Sequence, residues 1–148
     1  FKFFASGDVV HLKTAGTNAA NHGMIQFRDG NNAYCGQITS HGTNHTTSYV
    51  TNSDYRLKEN EALISDGITR LKLLKPYRFK WKSSGDIVDG FFAHEAQTVV
   101  SEAIIGTKDE VDSDNNPVYQ GIDQSKLVPL LTAALQEAIV RIEALEAK

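Results

Sequence analysis

The sequence predicts an α+β domain closed by a long C-terminal helix, preceded by an all-β segment that intertwines with other copies of itself. Three observations carry this expectation. The first 53 residues hold five charged side chains (Lys2, Lys13, Arg28, Asp8 and Asp29), whereas the following 95 hold 28. Up to about Tyr49, short apolar runs alternate with turn signals, and beyond Lys58 helical spacing appears. From Val128 to the C-terminus, apolar residues recur at heptad spacing. The composition changes at Ser53-Asp54, which divides the chain into residues 1–53 and 54–148.

In the first part, Phe1-Lys2-Phe3-Phe4, Val9-Val10-His11-Leu12, Met24-Ile25-Gln26-Phe27 and Ala33-Tyr34-Cys35-Gly36-Gln37-Ile38 read as strands. Between them, Ser6-Gly7-Asp8, Gly16-Thr17-Asn18, Asn21-His22-Gly23 and Asp29-Gly30-Asn31-Asn32 read as turns, the Asp29-Gly30 pair being a hairpin signal. Large apolar residues are sparse here. About fifty such residues fall below the size at which a core sustains itself, so the segment needs partners, most simply sister chains. An isolated three- or four-stranded sheet is the plainer arrangement.

In the second part, Ser65-Asp66-Gly67 starts a helix that runs to Leu74 with Ile68, Leu71 and Leu74 on one face, and Pro76 stops it. Tyr77-Arg78-Phe79-Lys80-Trp81-Lys82 alternates aromatic and basic residues, as a half-buried strand does with its aromatics inward. A second strand is expected at Gly90-Phe91-Phe92-Ala93, a short helix at 94–100 and a last strand at 118–122. Ser125 is placed to cap a terminal helix over 125–147, with Pro129 in its first turn where a missing N–H costs least. Its residues Val128, Leu131, Leu135, Ala138, Ile142 and Leu145 follow at spacings of 3, 4, 3, 4 and 3, while Leu127, Leu130, Ala134 and Ile139 widen the apolar face. So broad a face packs on its own domain, on sister helices, or on both.

Bulk properties narrow the function. A net charge of −3 gives no electrostatic case for nucleic acid or an anionic membrane, and no apolar run reaches the roughly 20 residues that span a bilayer. The single Cys35 excludes an internal disulfide framework and fits synthesis in a reducing compartment. The chain opens at Phe1 without a start Met, which fits the tail end of a longer polypeptide.

Chemistry is concentrated at the composition boundary. Ser53 and Lys58 place a hydroxyl and an amine five residues apart, the minimum equipment for cutting one chain in two. A lysine accepts the hydroxyl proton only when neutral, and at its ordinary pKa about 0.04% is neutral at pH 7, so burial or a nearby cation must favour the free amine. Arg56 and Lys72 are candidate cations, and Glu59 and Asn60 lie close enough to orient the pair. If Ser53 Oγ attacked the preceding carbonyl, Asn52-Ser53 would break; attack on its own carbonyl closes a strained four-membered ring. A serine relaying a proton for water, and Asp54 assisting the break, are both chemically reasonable.

Other candidates read as structure. His41 and His45 have helical spacing in a β segment, so with His11 and His22 they are polar strand positions before they are metal ligands. Asp112, Asp114 and Asn116 imitate the start of a calcium loop, yet Pro117 stands where that loop needs Gly, and a turn is the better reading. Tyr77, Phe79 and Trp81 alternate as core residues do rather than as a base-stacking platform. His94-Glu95 lacks a second histidine at zinc-protease spacing. No metal and no cofactor are expected.

These residues together resemble the C-terminal intramolecular chaperone domain of bacteriophage tail spikes and tail fibres, the peptidase S74 family. The matching stretches are Ser53-Asp54 followed by Arg56-Leu57-Lys58, then Leu71-Lys72-Leu73-Leu74-Lys75-Pro76-Tyr77-Arg78-Phe79. Asp89-Gly90-Phe91-Phe92-Ala93-His94-Glu95, Asn116-Pro117-Val118-Tyr119-Gln120-Gly121-Ile122-Asp123 and the terminal helix follow in the same order. The resemblance implies a homotrimer in which residues 54–148 bring three chains into register and residues 1–53 form the distal end of a trimeric, β-helix-like trunk. It implies a single-turnover serine peptidase with a Ser53/Lys58 dyad that cuts its own chain at Ser53-Asp54, with Arg56, Glu59 and Asn60 as orienting residues. It further implies a virion protein assembled in the bacterial cytoplasm, whose chaperone domain is released after cleavage. A host surface receptor for the upstream fibre is a possible partner; nucleic acid and membrane insertion are not expected. The alternative is a permanent trimerisation cap on a glycan-binding fibre tip, without cleavage.

Overall fold

A computed structural model describes residues 21–148, which fall into two compact units, one ending at Glu61 and the other spanning Ala62–Lys148. The strands expected at Phe1–Phe4 and Val9–Leu12 lie outside the described residues. The Ser53–Asp54 peptide and Lys58 both belong to the first unit.

The described part of the first unit is an antiparallel sheet of β1 (Asn21–Arg28), β2 (Tyr34–His41) and β3 (Thr46–Thr51), in the order β1-β2-β3. The hairpin expected at Asp29-Gly30 joins β1 to β2. Asp29 Oδ1 accepts from the Asn31 N–H at 2.9 Å and the Ala33 N–H at 2.8 Å, and Asn32 takes the left-handed conformation at φ 62°. Asparagine tolerates that region because its short polar side chain bonds locally. The expected turn at Asn21-His22-Gly23 is instead paired strand, Asn21 facing His41 and Gly23 facing Thr39, so pairing with β2 overrides local turn propensity. β3, rich in Thr and Ser, carried too little apolar alternation to announce itself. Gly36 faces Thr51, and any side chain there would collide with the Val50 carbonyl. The described residues of this unit thus form a three-stranded sheet, with Ile25, Phe27, Tyr49 and Val50 exposed on it.

The second unit is α+β. It comprises α1 (Gly67–Leu71), a hairpin of β4 (Tyr77–Lys80) and β5 (Ile87–Gly90), α2 (Ala93–Ala96), a pair of two-residue strands β6 (Ile104–Ile105) and β7 (Gly121–Ile122), and α3 (Val128–Glu146). Its core gathers Leu74, Ala96, Val99, Val100, Ala103, Leu127 and Leu130, with Leu71, Phe91, Ile104 and Ile122 packed against it. The Arg70 guanidinium donates to the Val99 carbonyl at 2.7 Å, tying α1 to the loop after α2.

Several elements differ from the sequence reading. α1 is shorter than 65–74 and begins after Asp66, which caps nothing with its side chain. The second hairpin strand ends at Gly90 rather than starting there, because Phe79 pairs with Val88 and Lys80 with Ile87, leaving Phe91 and Phe92 to enter α2. Helix 94–100 is a single turn, and the strand at 118–122 shrinks to Gly121–Ile122. Tyr77 and Phe79 are half-buried and cluster with Phe92, at ring separations of 5.0 and 6.2 Å, whereas Trp81 is exposed. The terminal helix is entered through a 3-10 turn, Gln124–Leu127, whose cap is Asp123 and not Ser125: Asp123 Oδ1 accepts from the Ser125 N–H at 3.0 Å and its hydroxyl at 2.6 Å. Pro129 lies in the first turn of α3 as expected.

The broad face of α3 divides in two. Leu127, Leu130 and Ala134 are buried within the unit, while the heptad residues Leu131, Leu135, Ile142 and Leu145 stay 46, 63, 53 and 68% exposed. One stripe closes the unit's own core and the other is left about half or more exposed. No helix among the described residues is long and apolar enough to cross a membrane.

Candidate active site

The site is built where β3 runs out. Asn52 is the last residue tied to the sheet: its backbone N–H donates to the Cys35 carbonyl at 3.2 Å, and its side-chain amide donates to the Tyr34 carbonyl. Ser53 follows, and then the chain curls. Asp54 caps a 3-10 turn at Tyr55–Leu57, accepting from the Arg56 N–H at 2.9 Å, and the Lys58 N–H closes the turn on the Tyr55 carbonyl at 3.0 Å. A 3-10 turn advances only about 2 Å per residue, so five residues of sequence bring Lys58 back beside Ser53.

The contact is direct. Lys58 Nζ lies 2.6 Å from Ser53 Oγ and 3.2 Å from the Ser53 carbonyl oxygen, both within hydrogen-bond reach. One amine therefore touches the hydroxyl and the carbonyl of the peptide bond that leads to Asp54. Both residues are exposed in the single chain.

Arg56 orients Asp54 rather than the Ser–Lys pair. Its Nε donates to Asp54 Oδ1 at 2.9 Å and its Nη2 to Oδ2 at 2.8 Å, a two-pronged clamp across the turn. That guanidinium, then the Arg56 N–H, and more weakly the Lys58 charge, hold the Asp54 carboxyl below its ordinary value of 3.8 against a small opposing effect of burial. A carboxyl depressed in the folded state stabilises the turn above its unfolded pKa, and that contribution is lost as pH falls through the folded value. The turn is thus expected to be fully clamped above about pH 4 and to loosen only below 3.8. A carboxyl-detected NMR titration checks this; an Asp54 midpoint at or above 3.8 would overturn it.

Of the other expected orienting residues, neither Glu59 nor Asn60 makes a side-chain hydrogen bond to the pair among the described residues. Asn60 instead holds a left-handed backbone at φ 54°. Lys72, considered as a cation near Lys58, belongs to the second unit. Asn52 escaped the sequence reading because an asparagine ahead of a serine carries no motif; its partner carbonyl lies 18 residues upstream. His41 sits in β2 and His45 at the β2–β3 turn with φ 53°, so their spacing is not helical. Asp112 closes an Asx-type turn on the Asp114 and Asn116 N–H groups at 2.9 and 2.8 Å, as the turn reading expected.

With this geometry in place, comparison with known families is informative. Residues 53–105 match the family described as Peptidase S74, chaperone of endosialidase. The match opens on Ser53 and closes on Ile105, so residues 116–123 and α3, included in the resemblance read from the sequence, lie beyond it. It supports a C-terminal intramolecular chaperone domain of phage tail proteins, a chaperone role in tail-fibre assembly and association with the virion. The family's name implies a peptidase-type domain. No curated protein matches the chain.

Proposed function

We propose that the chain is an intramolecular chaperone of a phage tail fibre or spike that ends its work by cutting itself. Residues 54–148 bring three copies together and set their register, residues 1–53 wind into a trimeric β-helix-like trunk, and the Ser53–Asp54 bond is then cleaved. The observation that carries this reading is the reach of the single Lys58 amine to both Ser53 Oγ and the Ser53 carbonyl, at the residue where the family match begins.

The chemistry follows from the valence of a neutral amine. Its lone pair accepts the Ser53 hydroxyl proton while one N–H donates to the carbonyl oxygen and polarises it. Because attack by Oγ on its own carbonyl closes a four-membered ring, the hydroxyl acts as a relay. A water oxygen bonds to the Ser53 carbonyl carbon; its proton passes to Oγ as the Oγ proton passes to Nζ. The tetrahedral centre collapses, the bond to the Asp54 nitrogen breaks, and the proton on Nζ returns through Oγ to that nitrogen. The products are a Ser53 carboxyl and a free Asp54 amine, with lysine regenerated and no cofactor required. Asp54 is the weaker helper, since both its oxygens are engaged by Arg56.

Assembly supplies the trigger. Desolvation favours the neutral form of an amine, and sister chains packed over this exposed pair would exclude water from it. The exposed heptad stripe of α3 provides a surface for trimerisation that the chain's own core does not use. Replacing Leu135 and Ile142 by Asp together is expected to give a folded monomer by analytical ultracentrifugation, left uncut. A variant that still forms trimers would remove α3 from the assembly.

Intact mass spectrometry of the wild type beside Ser53→Ala tests the function itself. Two fragments meeting at Ser53–Asp54 are expected for the wild type and one whole chain for the variant. A wild type that stays whole while trimeric would favour the alternative, a permanent cap on a receptor-binding fibre tip. Release of residues 54–148 after assembly in the bacterial cytoplasm would leave the trunk on the virion without its template and so kinetically trapped.

A further inference from the structure

We infer that Asn52 is a positioning residue for the cleavage, one that makes the placement of the Ser53 hydroxyl depend on a completed β-sheet. The inference rests on the self-cleavage proposed above and adds a residue that neither the family resemblance nor the sequence motif assigns. Thr51 is the last residue of β3 and pairs with Gly36. One step further, the Asn52 N–H reaches the Cys35 carbonyl at 3.2 Å, which continues the β2–β3 ladder by one backbone bond. The Asn52 side-chain amide donates in addition to the carbonyl of Tyr34, the first residue of β2. The main chain and the side chain of one residue thus both grip the start of β2, and residues 53 and 54 then leave the sheet and enter the 3-10 turn.

The scissile bond is consequently held from both sides. Asn52 fixes its N-terminal flank to β2, and the Asp54–Arg56 clamp fixes its C-terminal flank, with Lys58 Nζ between them at 2.6 Å from Ser53 Oγ. Tyr34 and Cys35 offer their carbonyls in this register only when β2 is paired, and β2 is the central strand, flanked by β1 and β3. A chain whose trunk sheet has not formed would have Lys58 and Ser53 close in sequence but no anchor for the serine. Cleavage would then report on the fold of the segment before the cut as well as on assembly of the domain after it.

The test uses the full chain and its single-turnover cleavage rate by time-resolved intact mass. Asn52→Asp keeps size and shape but replaces the donor to the Tyr34 carbonyl with an acceptor. It is expected to cut about 10- to 100-fold more slowly than wild type, the scale on which small displacements of reacting groups act. Asn52→Gln, which retains a carboxamide, recovers part of that loss. Each substitution is also placed in the uncuttable Ser53→Ala chain, where the trimer and its melting temperature should match those of Ser53→Ala alone. Cleavage of Asn52→Asp at the wild-type rate would overturn the inference while leaving self-cleavage intact. So would a rate loss that appears only with loss of the trimer, since Asn52 would then be merely structural. A wild-type chain that never cuts would remove both readings together.

Discussion

On the proposed self-cleavage, Lys58→Arg is expected to keep the fold and oligomeric state and to lower the cleavage rate by about 10²- to 10⁴-fold, the usual contribution of a general base. The substitution separates the two roles that the proposed mechanism gives Lys58. Arginine keeps the positive charge and offers several N–H donors, so it can still hydrogen-bond the Ser53 hydroxyl and polarise the Ser53 carbonyl that Nζ reaches at 3.2 Å. What it cannot do in a protein is lose a proton, and so it cannot receive one from the serine. If the amine served only to polarise the carbonyl, Arg would support cleavage near the wild-type rate. Lys58→Met, which has neither function, sets the floor. Time-resolved intact mass of the three chains decides the matter, and a Lys58→Arg chain that cuts within a few-fold of wild type would overturn the base role.

Gly67→Ala destabilises the Ala62–Lys148 unit by about 1–3 kcal/mol, the usual range for overpacking a close contact. Helix propensity argues the opposite way, since alanine is favoured over glycine in a helix by roughly 1 kcal/mol. Sterics decide. Gly67 is buried as the first residue of α1, and a Cβ there would lie 2.6 Å from the Ala134 nitrogen and 2.8 Å from the Ala133 carbonyl carbon. Both are backbone atoms of α3, so no flexible side chain can swing aside. Nor can α1 back away freely: the Ile68 N–H donates to Glu137 Oε2 at 3.0 Å, and Arg70 is bound to the Val99 carbonyl. Urea melts in the Ser53→Ala background, where chain length stays constant, give the comparison. An unchanged or raised midpoint would mean that the two helices part at little cost.

Gly67 also illustrates what was legible in advance. Ser65-Asp66-Gly67 correctly announced a helix, yet nothing local distinguished a glycine that starts a helix from one demanded by a neighbour 67 residues away. The Ser53/Lys58 proximity was legible for the opposite reason. It depends on a turn of a few residues, whose cap Asp54 and partner Arg56 are themselves local. Asn52 was not, because its amide bonds a strand that pairs only in the tertiary fold. The same division separates the Asp29-Gly30 hairpin, read from two residues, from β3, whose Thr- and Ser-rich run becomes a strand only against β2.

By itself, then, the sequence determined the hairpin at 29–33, a strand at Tyr77, the long terminal helix and the nearness of a hydroxyl to an amine. All of these rest on periodicity or on contacts a few residues apart, which the chain specifies before it folds. Tertiary structure alone decided which stripe of α3 is used internally. Leu127, Leu130 and Ala134 lie closest to α1 and the core and are buried by them, while the more regular heptad residues Leu131, Leu135, Ile142 and Leu145 face outward. Periodicity marks a face as apolar but does not say what covers it; that depends on neighbours brought together from distant parts of the chain, and here the chain's own neighbours cover only half.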